Sequence, residues 1–230
     1  MQNWEVSAPI GWPLAVRAFE GVKKTMVDFL TYYYVKGAPP FRSLSALPDD
    51  EAIALMEALY VKYAGSIVFE RFKDPAQYLH NRKQTEQWVR EAFTAKGRQP
   101  QDAYPISMVL GNSPWLEKHA PDGSDANDKI LIPLSALQED DVSFTFPDSM
   151  VSHWLSRDQP PEYYLPGYHG QVFTLSEILA IVETRGMPEE QWQVNLPSHV
   201  GSYIEAQVWN HNLLLEYAKQ GVLEKKEHPV

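Results

Sequence analysis

Apolar positions in the first third of the chain recur at helical spacing. From Ala15 they step through Phe19, Val22, Met26, Phe29 and Tyr33, three or four apart, which predicts a helix of about five turns stopped by Gly37 and Pro39-Pro40. A second helix is expected from Pro48 to Gly65, with Asp49, Asp50 and Glu51 at the positive end of its dipole and Ile53, Met56, Leu59, Tyr60 and Tyr63 following. The third has the clearest start. Asp74 suits an N-cap, Pro75 the first helical position and Gln77 the third, so a helix should run to about Ala95 with Gly97 past its end.

Beyond Gly97 the period drops to two. Ile106, Met108 and Leu110 alternate with Ser107 and Val109, Lys129 to Leu134 is apolar and β-branched, and Val142, Phe144 and Phe146 alternate with Ser143 and Thr145. A proline-rich, aromatic stretch from Pro147 to Gly170 predicts a long ordered loop with a short helix near Met150 to Leu155. Thr174-Leu-Ser-Glu177 has the spacing of a capping box and opens a short helix that Gly186 and Pro188 close. Tyr203 to Trp209 alternates again, with Ile204, Ala206 and Val208 on one face and Tyr203, Glu205, Gln207 and Trp209 on the other. A final helix is expected from Asn212 to Gln220, ending at Gly221 before a frayed tail.

The order predicts an α+β fold: an N-terminal helical region of about three helices packed on a mostly antiparallel sheet, then a late strand and a C-terminal helix. A single domain over residues 1–230 is favoured, because three helices bury their stripes more easily against a sheet than alone; a subdivision into 1–98 and 99–230 is the alternative.

Composition removes several classes of function. With 230 residues and 44% hydrophobic content the chain can bury a core without staples. Having no cysteine, it holds no disulfide, thiolate metal site or cysteine nucleophile. The net charge of −10 is uneven: residues 1–100 carry 13 Lys and Arg against 11 Asp and Glu, and the remainder 7 against 19. An acidic half repels phosphate backbones, so general nucleic-acid binding is not expected. The basic stretch Arg71, Lys73, Arg82, Lys83, Arg90, Lys96 and Arg98 alternates with acids and reads as the solvated face of a helix. No apolar run reaches the ~18 to 20 residues of a membrane span, and the start Met-Gln-Asn-Trp-Glu has no basic signal region, so a cytoplasmic, membrane-free protein is expected.

Phosphate-cradling glycine motifs and the Gly-x-Ser-x-Gly elbow are missing. The acidic stretch from Asp122 to Asp128 fails as a calcium loop, having Ala126 at its third ligand position and Pro133 at its twelfth. No histidine pair has ligand spacing, so no metal is expected; His153, His169 and Asp148 are the candidates if one is held. Two regions carry candidate chemistry. In the aromatic loop, His153 and His169 could serve as acid or base, with Asp148 and Tyr168 as ligand-binding groups among Tyr163 and Tyr164. On the late strand, Glu205 stands between Tyr203 and Gln207 with Trp209 beyond, a carboxylate among aromatic platforms that could bond hydroxyls or stabilise a developing cation.

Tyr203 to Trp209 resembles the late strand on which ADP-ribosyltransferases carry the glutamate that contacts the nicotinamide ribose, and Phe144-Thr145 more loosely resembles their Ser-Thr strand. The resemblance implies NAD as a ligand, Glu205 as the catalytic carboxylate and Ser143 and Thr145 beside it. The strand around Pro105 to Gly111 departs from it, carrying neither the Arg nor the His with which those families hold NAD. Three functions remain open: a binding or interaction protein presenting the aromatic loop to a protein partner or small molecule; an NAD-using transferase or glycohydrolase centred on Glu205; and a His/Asp hydrolase or metal-dependent enzyme.

Overall fold

A computed structural model of the chain describes residues 27–119, 127–159, 162, 164–188 and 200–227. Five strands, β1 (Phe29–Val35), β2 (Ile106–Leu110), β3 (Asn127–Pro133), β4 (Val142–Thr145) and β5 (Glu205–Val208), form one sheet in the order β3-β1-β2-β5-β4, each neighbour antiparallel. The described residues also form six helices: α1 (Asp49–Lys62), α2 (Pro75–Ala95), α3 (Pro114–His119), α4 (Ser149–Asp158), α5 (Leu175–Arg185) and α6 (His211–Glu227). The fold is α+β, with the late strand and C-terminal helix expected of it. Among the described residues no helix is long and apolar enough to cross a membrane.

Register divides the sheet into two chemically different faces. Leu30 opposes Leu110 and Ile132, Met108 opposes Ala206, Ile106 opposes Val208, and Phe144 opposes Ala206, so these side chains share one face. That face is the main core, and α5 covers it with Ile178 and Val182 while α6 supplies Leu213, Leu214 and Tyr217. The opposite face holds Thr31, Val109, Ser107, Gln207, Glu205, Ser143 and Thr145. Over it lie α2 and α4, with α1 packed outside them on a second core of Ala52, Met56, Phe69, Phe72, Tyr78 and Leu79. A sheet face so rich in hydroxyl, amide and carboxylate groups needs partners for each of them, and that need shapes the site.

Local signals account for most elements. Asp74 caps α2 by accepting the Gln77 N–H, and Pro75 is its first residue. Thr174 and Glu177 form the reciprocal capping box at α5. Asp102 accepts the His211 N–H and Asn210 the Leu213 N–H at the start of α6.

Two expectations are corrected. The stripe ending at Phe29 and Tyr33 belongs to a strand, β1, and the part of the predicted helix over 15–26 lies outside the described residues. A spacing of four satisfies a two-residue period as well as a helical one, and Phe-Leu-Thr-Tyr-Tyr-Tyr-Val is aromatic or β-branched at every position but Leu30. Pairing along its length with β3 gives it a place inside the sheet. At the other end α6 continues past Gly221 to Glu227, because one glycine weakens a helix by about 1 kcal/mol without requiring it to stop.

Candidate functional site

A cavity of about 1210 Å³ opens over the polar face of the sheet, floored by β1, β2 and β5 and walled by α2, the start of α4 and the segment from β1 to α2. Glu205 lies at its floor, only 7% exposed, opposite Val109 on β2 and Thr145 on β4. Its Oε2 accepts the Ser149 N–H at 2.5 Å. The preceding residue, Asp148, caps the same helix by accepting the Met150 and Val151 N–H groups on Oδ1, each at 3.1 Å. Three consecutive backbone donors at the N-terminus of α4 therefore hold two carboxylates at one edge of the cavity.

Burial, reinforced by the Glu205 charge, raises the Asp148 carboxyl to about 6, against the lowering effect of the backbone donors and of Arg71. Burial also pushes the Tyr203 hydroxyl well above its ordinary value, with Asp148 and Glu205 adding to the effect, so Tyr203 is a neutral donor at the site.

The cations come from α2 and the turn before it. Tyr78, Arg82 and Glu86 follow one another at intervals of four on α2, all facing inward among the buried Thr85, Val89 and Phe93. Arg82 Nε forms an ion pair with Glu86 Oε1 at 2.8 Å, and Arg82 Nη2 reaches down to the Ser107 hydroxyl on β2 at 3.4 Å. Burial raises the Glu86 carboxyl despite this pairing. Arg71, in the 3-10 turn Glu70–Phe72, donates through Nε to the Val68 carbonyl at 2.5 Å. It stays open to solvent although Tyr78, Tyr203 and Asp148 surround it, and Tyr78 is within hydrogen-bonding reach of both Arg71 and Arg82.

This corrects the reading of the basic stretch as a wholly solvated face: Arg82 lies largely buried with its partner Glu86, and Arg71, though accessible, lies inside a cavity. Tyr78, Arg82 and Glu86 were missed as site residues. The signal for them was two charges placed on the same helical stripe as Val89 and Phe93, where an unpartnered charge would be costly.

The other candidate residues fall into separate groups. Ser143, Thr145, Gln207 and Trp209 are fully buried beside the cavity and form a closed chain. The Trp209 Nε1–H donates to Ser143 Oγ at 2.9 Å, Ser143 donates to Gln207 Oε1 at 3.0 Å, and Gln207 Nε2 donates to Thr145 Oγ1 at 2.9 Å. These bonds tie β4 to β5 and fix the strand that carries Glu205. His153 lies on α4, with Nδ1 3.1 Å from the Thr85 hydroxyl and its ring stacked on Trp88 at 4.8 Å; partial burial and then Arg157 lower its pKa. His169 is buried against Phe146, and its Nδ1 accepts the Leu165 N–H at 3.0 Å. An accepting Nδ1 means a neutral ring, and burial brings the His169 pKa down to about 4.

His153 and His169 thus have different neighbours. No three His, Asp or Glu side chains among the described residues are grouped to hold a metal ion. Tyr164 and Tyr168 are half-buried, Tyr168 packing on the main core, and Tyr163 lies outside the described residues. Comparison with protein families, curated proteins and solved structures finds no match to this chain.

Proposed function

We propose that the protein is an enzyme acting on a small molecule in the cleft over β1, β2 and β5, with Glu205 as its central carboxylate and NAD as its ligand. The observation that carries this reading is the position of Glu205: a nearly buried carboxylate on an inner strand, oriented by a backbone N–H and opening onto a large cavity. Arg82 lies within electrostatic reach of Glu205, and the carboxylate also faces a space able to hold a ligand.

When the bond between ribose and nicotinamide breaks, nicotinamide leaves with the electron pair and the ribose carbon carries positive charge until water adds to it and gives up a proton to solvent. A fixed carboxylate in a site shielded from water stabilises that charge and can accept a hydrogen bond from a ribose hydroxyl. Tyr203 supplies a neutral donor and an aromatic surface beside it. The buried chain from Trp209 to Thr145 holds β5 rigid, as a carboxylate that must sit within a fraction of an ångström requires.

An interaction role for the aromatic loop has less support, because Tyr164 and Tyr168 are partly buried and Tyr168 packs on the main core. The test is release of nicotinamide from NAD by the full chain. Wild type should release it, and Glu205→Gln, which keeps size and removes charge, should lower the rate by about 100-fold or more while circular dichroism shows the fold retained. No release by wild type above a boiled control refutes the reading.

A further inference from the structure

The cleft carries an excess of accessible cations on the wall facing the sheet, against the charge of the whole chain. The protein is at −10, yet Arg42, Lys62 and Arg71 all line this cavity and all remain exposed. Arg42 belongs to the connection from β1 to α1, Lys62 to the end of α1, and Arg71 to the turn before α2. The carboxylates of the cleft lie elsewhere or are already engaged. Glu86 is paired with Arg82, Glu117 accepts the Tyr33 hydroxyl and forms an ion pair with Lys129 at 3.6 Å, Asp128 lies on β3 opposite Tyr34, and Asp148 and Glu205 are held at the N-terminus of α4.

Arg71 is the best prepared of the three. Its Nε is fixed on the Val68 carbonyl, which orients the guanidinium fork; the Tyr78 hydroxyl is within hydrogen-bonding reach of it, and Tyr203 lines the same cavity within electrostatic reach. Asp148 stands near the same fork with its Oδ1 engaged by the Met150 and Val151 N–H groups, and the part of the fork open to solvent inside the concavity suits an oxyanion with several acceptor atoms. Electrostatic focusing within a cavity strengthens the attraction relative to a flat surface.

We infer that Arg71, assisted by Arg42 and Lys62, anchors the phosphate of the ligand, so that the substrate class is a phosphate or diphosphate ester whose other end reaches Glu205. The inference rests on the small-molecule reading of the cleft and adds the chemistry that selects the ligand. Because Arg71 touches no reacting bond in this arrangement, it is a binding residue: its loss weakens affinity for phosphate-bearing ligands and leaves affinity for phosphate-free ones alone.

Calorimetric titration of the full chain with ADP, with inorganic pyrophosphate and with nicotinamide riboside tests it, using wild type, Arg71→Gln, Arg42→Gln and, as a charge-matched control, Lys73→Gln. Lys73 is exposed in the same segment and does not line the cavity. Wild type should bind ADP and pyrophosphate, more weakly as salt rises. Arg71→Gln should lose about tenfold or more in affinity for both, Arg42→Gln should lose less, and Lys73→Gln should match wild type. Absence of ADP and pyrophosphate binding by wild type, or equal binding by Arg71→Gln, overturns the inference. Phosphate binding through Arg71 without nicotinamide release from NAD would keep the anchor and remove the NAD reading. Release from NAD with a KM untouched by Arg71→Gln would do the reverse.

Discussion

Ionisable residues in this protein sit in places where charge is expensive, and two of them make opposite demands on pH. His169 is buried and neutral with its pKa brought down to about 4, below the ~6.5 of an unfolded chain. Its contribution to stability is complete above about pH 6.5 and is lost as pH falls toward 4, because the unfolded state takes up a proton that the folded state refuses. His169→Asn, whose amide oxygen can accept the Leu165 N–H, should therefore flatten the decline in melting temperature between pH 6.5 and 4; an unaltered decline would show that His169 does not titrate in this way.

Asp148 behaves in the opposite sense. Its folded pKa, about 6, lies above the unfolded value, so ionising it costs stability as pH rises through 6. Asp148→Asn retains a capping oxygen and should be more stable than wild type at pH 8 while matching it near pH 4, as thermal melts at the two pH values would reveal. Equal stability at pH 8 would mean that burial and Glu205 do not oppose its charge.

Elements were legible to the extent that their signals are local. The Asp74 cap, the Thr174 capping box and the alternation of β2, β4 and β5 all depend on residues a few positions apart, and all three were readable. Strand β1 was not, since Phe29 and Tyr33 fit either period and only the pairing with β2 and β3, about eighty residues or more away, decides between them. The short helix α3 was also missed, its local signs being Ser113, whose Oγ accepts the Leu116 N–H, and Pro114 as its first residue.

Two substitutions examine what holds the elements together. Thr174→Ala removes the oxygen that accepts the Glu177 N–H and should cost about 1 kcal/mol in denaturant unfolding. Gly170 has φ +71°, and a Cβ there would meet the Ser156 Cβ at 2.4 Å, so Gly170→Ala should cost more, about 2 kcal/mol or above, through clash and strain together. A Gly170→Ala variant as stable as wild type would contradict the close approach of the aromatic loop to α4.

At the scale of the whole molecule the sheet separates two tasks. One face is apolar and closed by α5 and α6; the other is polar and open beneath α1, α2 and α4, and the cleft follows from that division. Glu205 and Tyr203 could be placed on the polar face from strand alternation alone. Arg71, Tyr78 and Arg82 could not be joined to them, because they enter from segments over 120 residues away whose packing against the sheet is a tertiary property. The central claim is that this cleft holds NAD against Glu205. Thermal unfolding of wild type and Glu205→Gln, each with and without NAD, tests it most directly, since a ligand at 100 times its dissociation constant adds about 2.7 kcal/mol to the folded state. A rise in the wild-type midpoint that shrinks in Glu205→Gln is the predicted result; no rise at saturating NAD, or the same rise in both proteins, would contradict it.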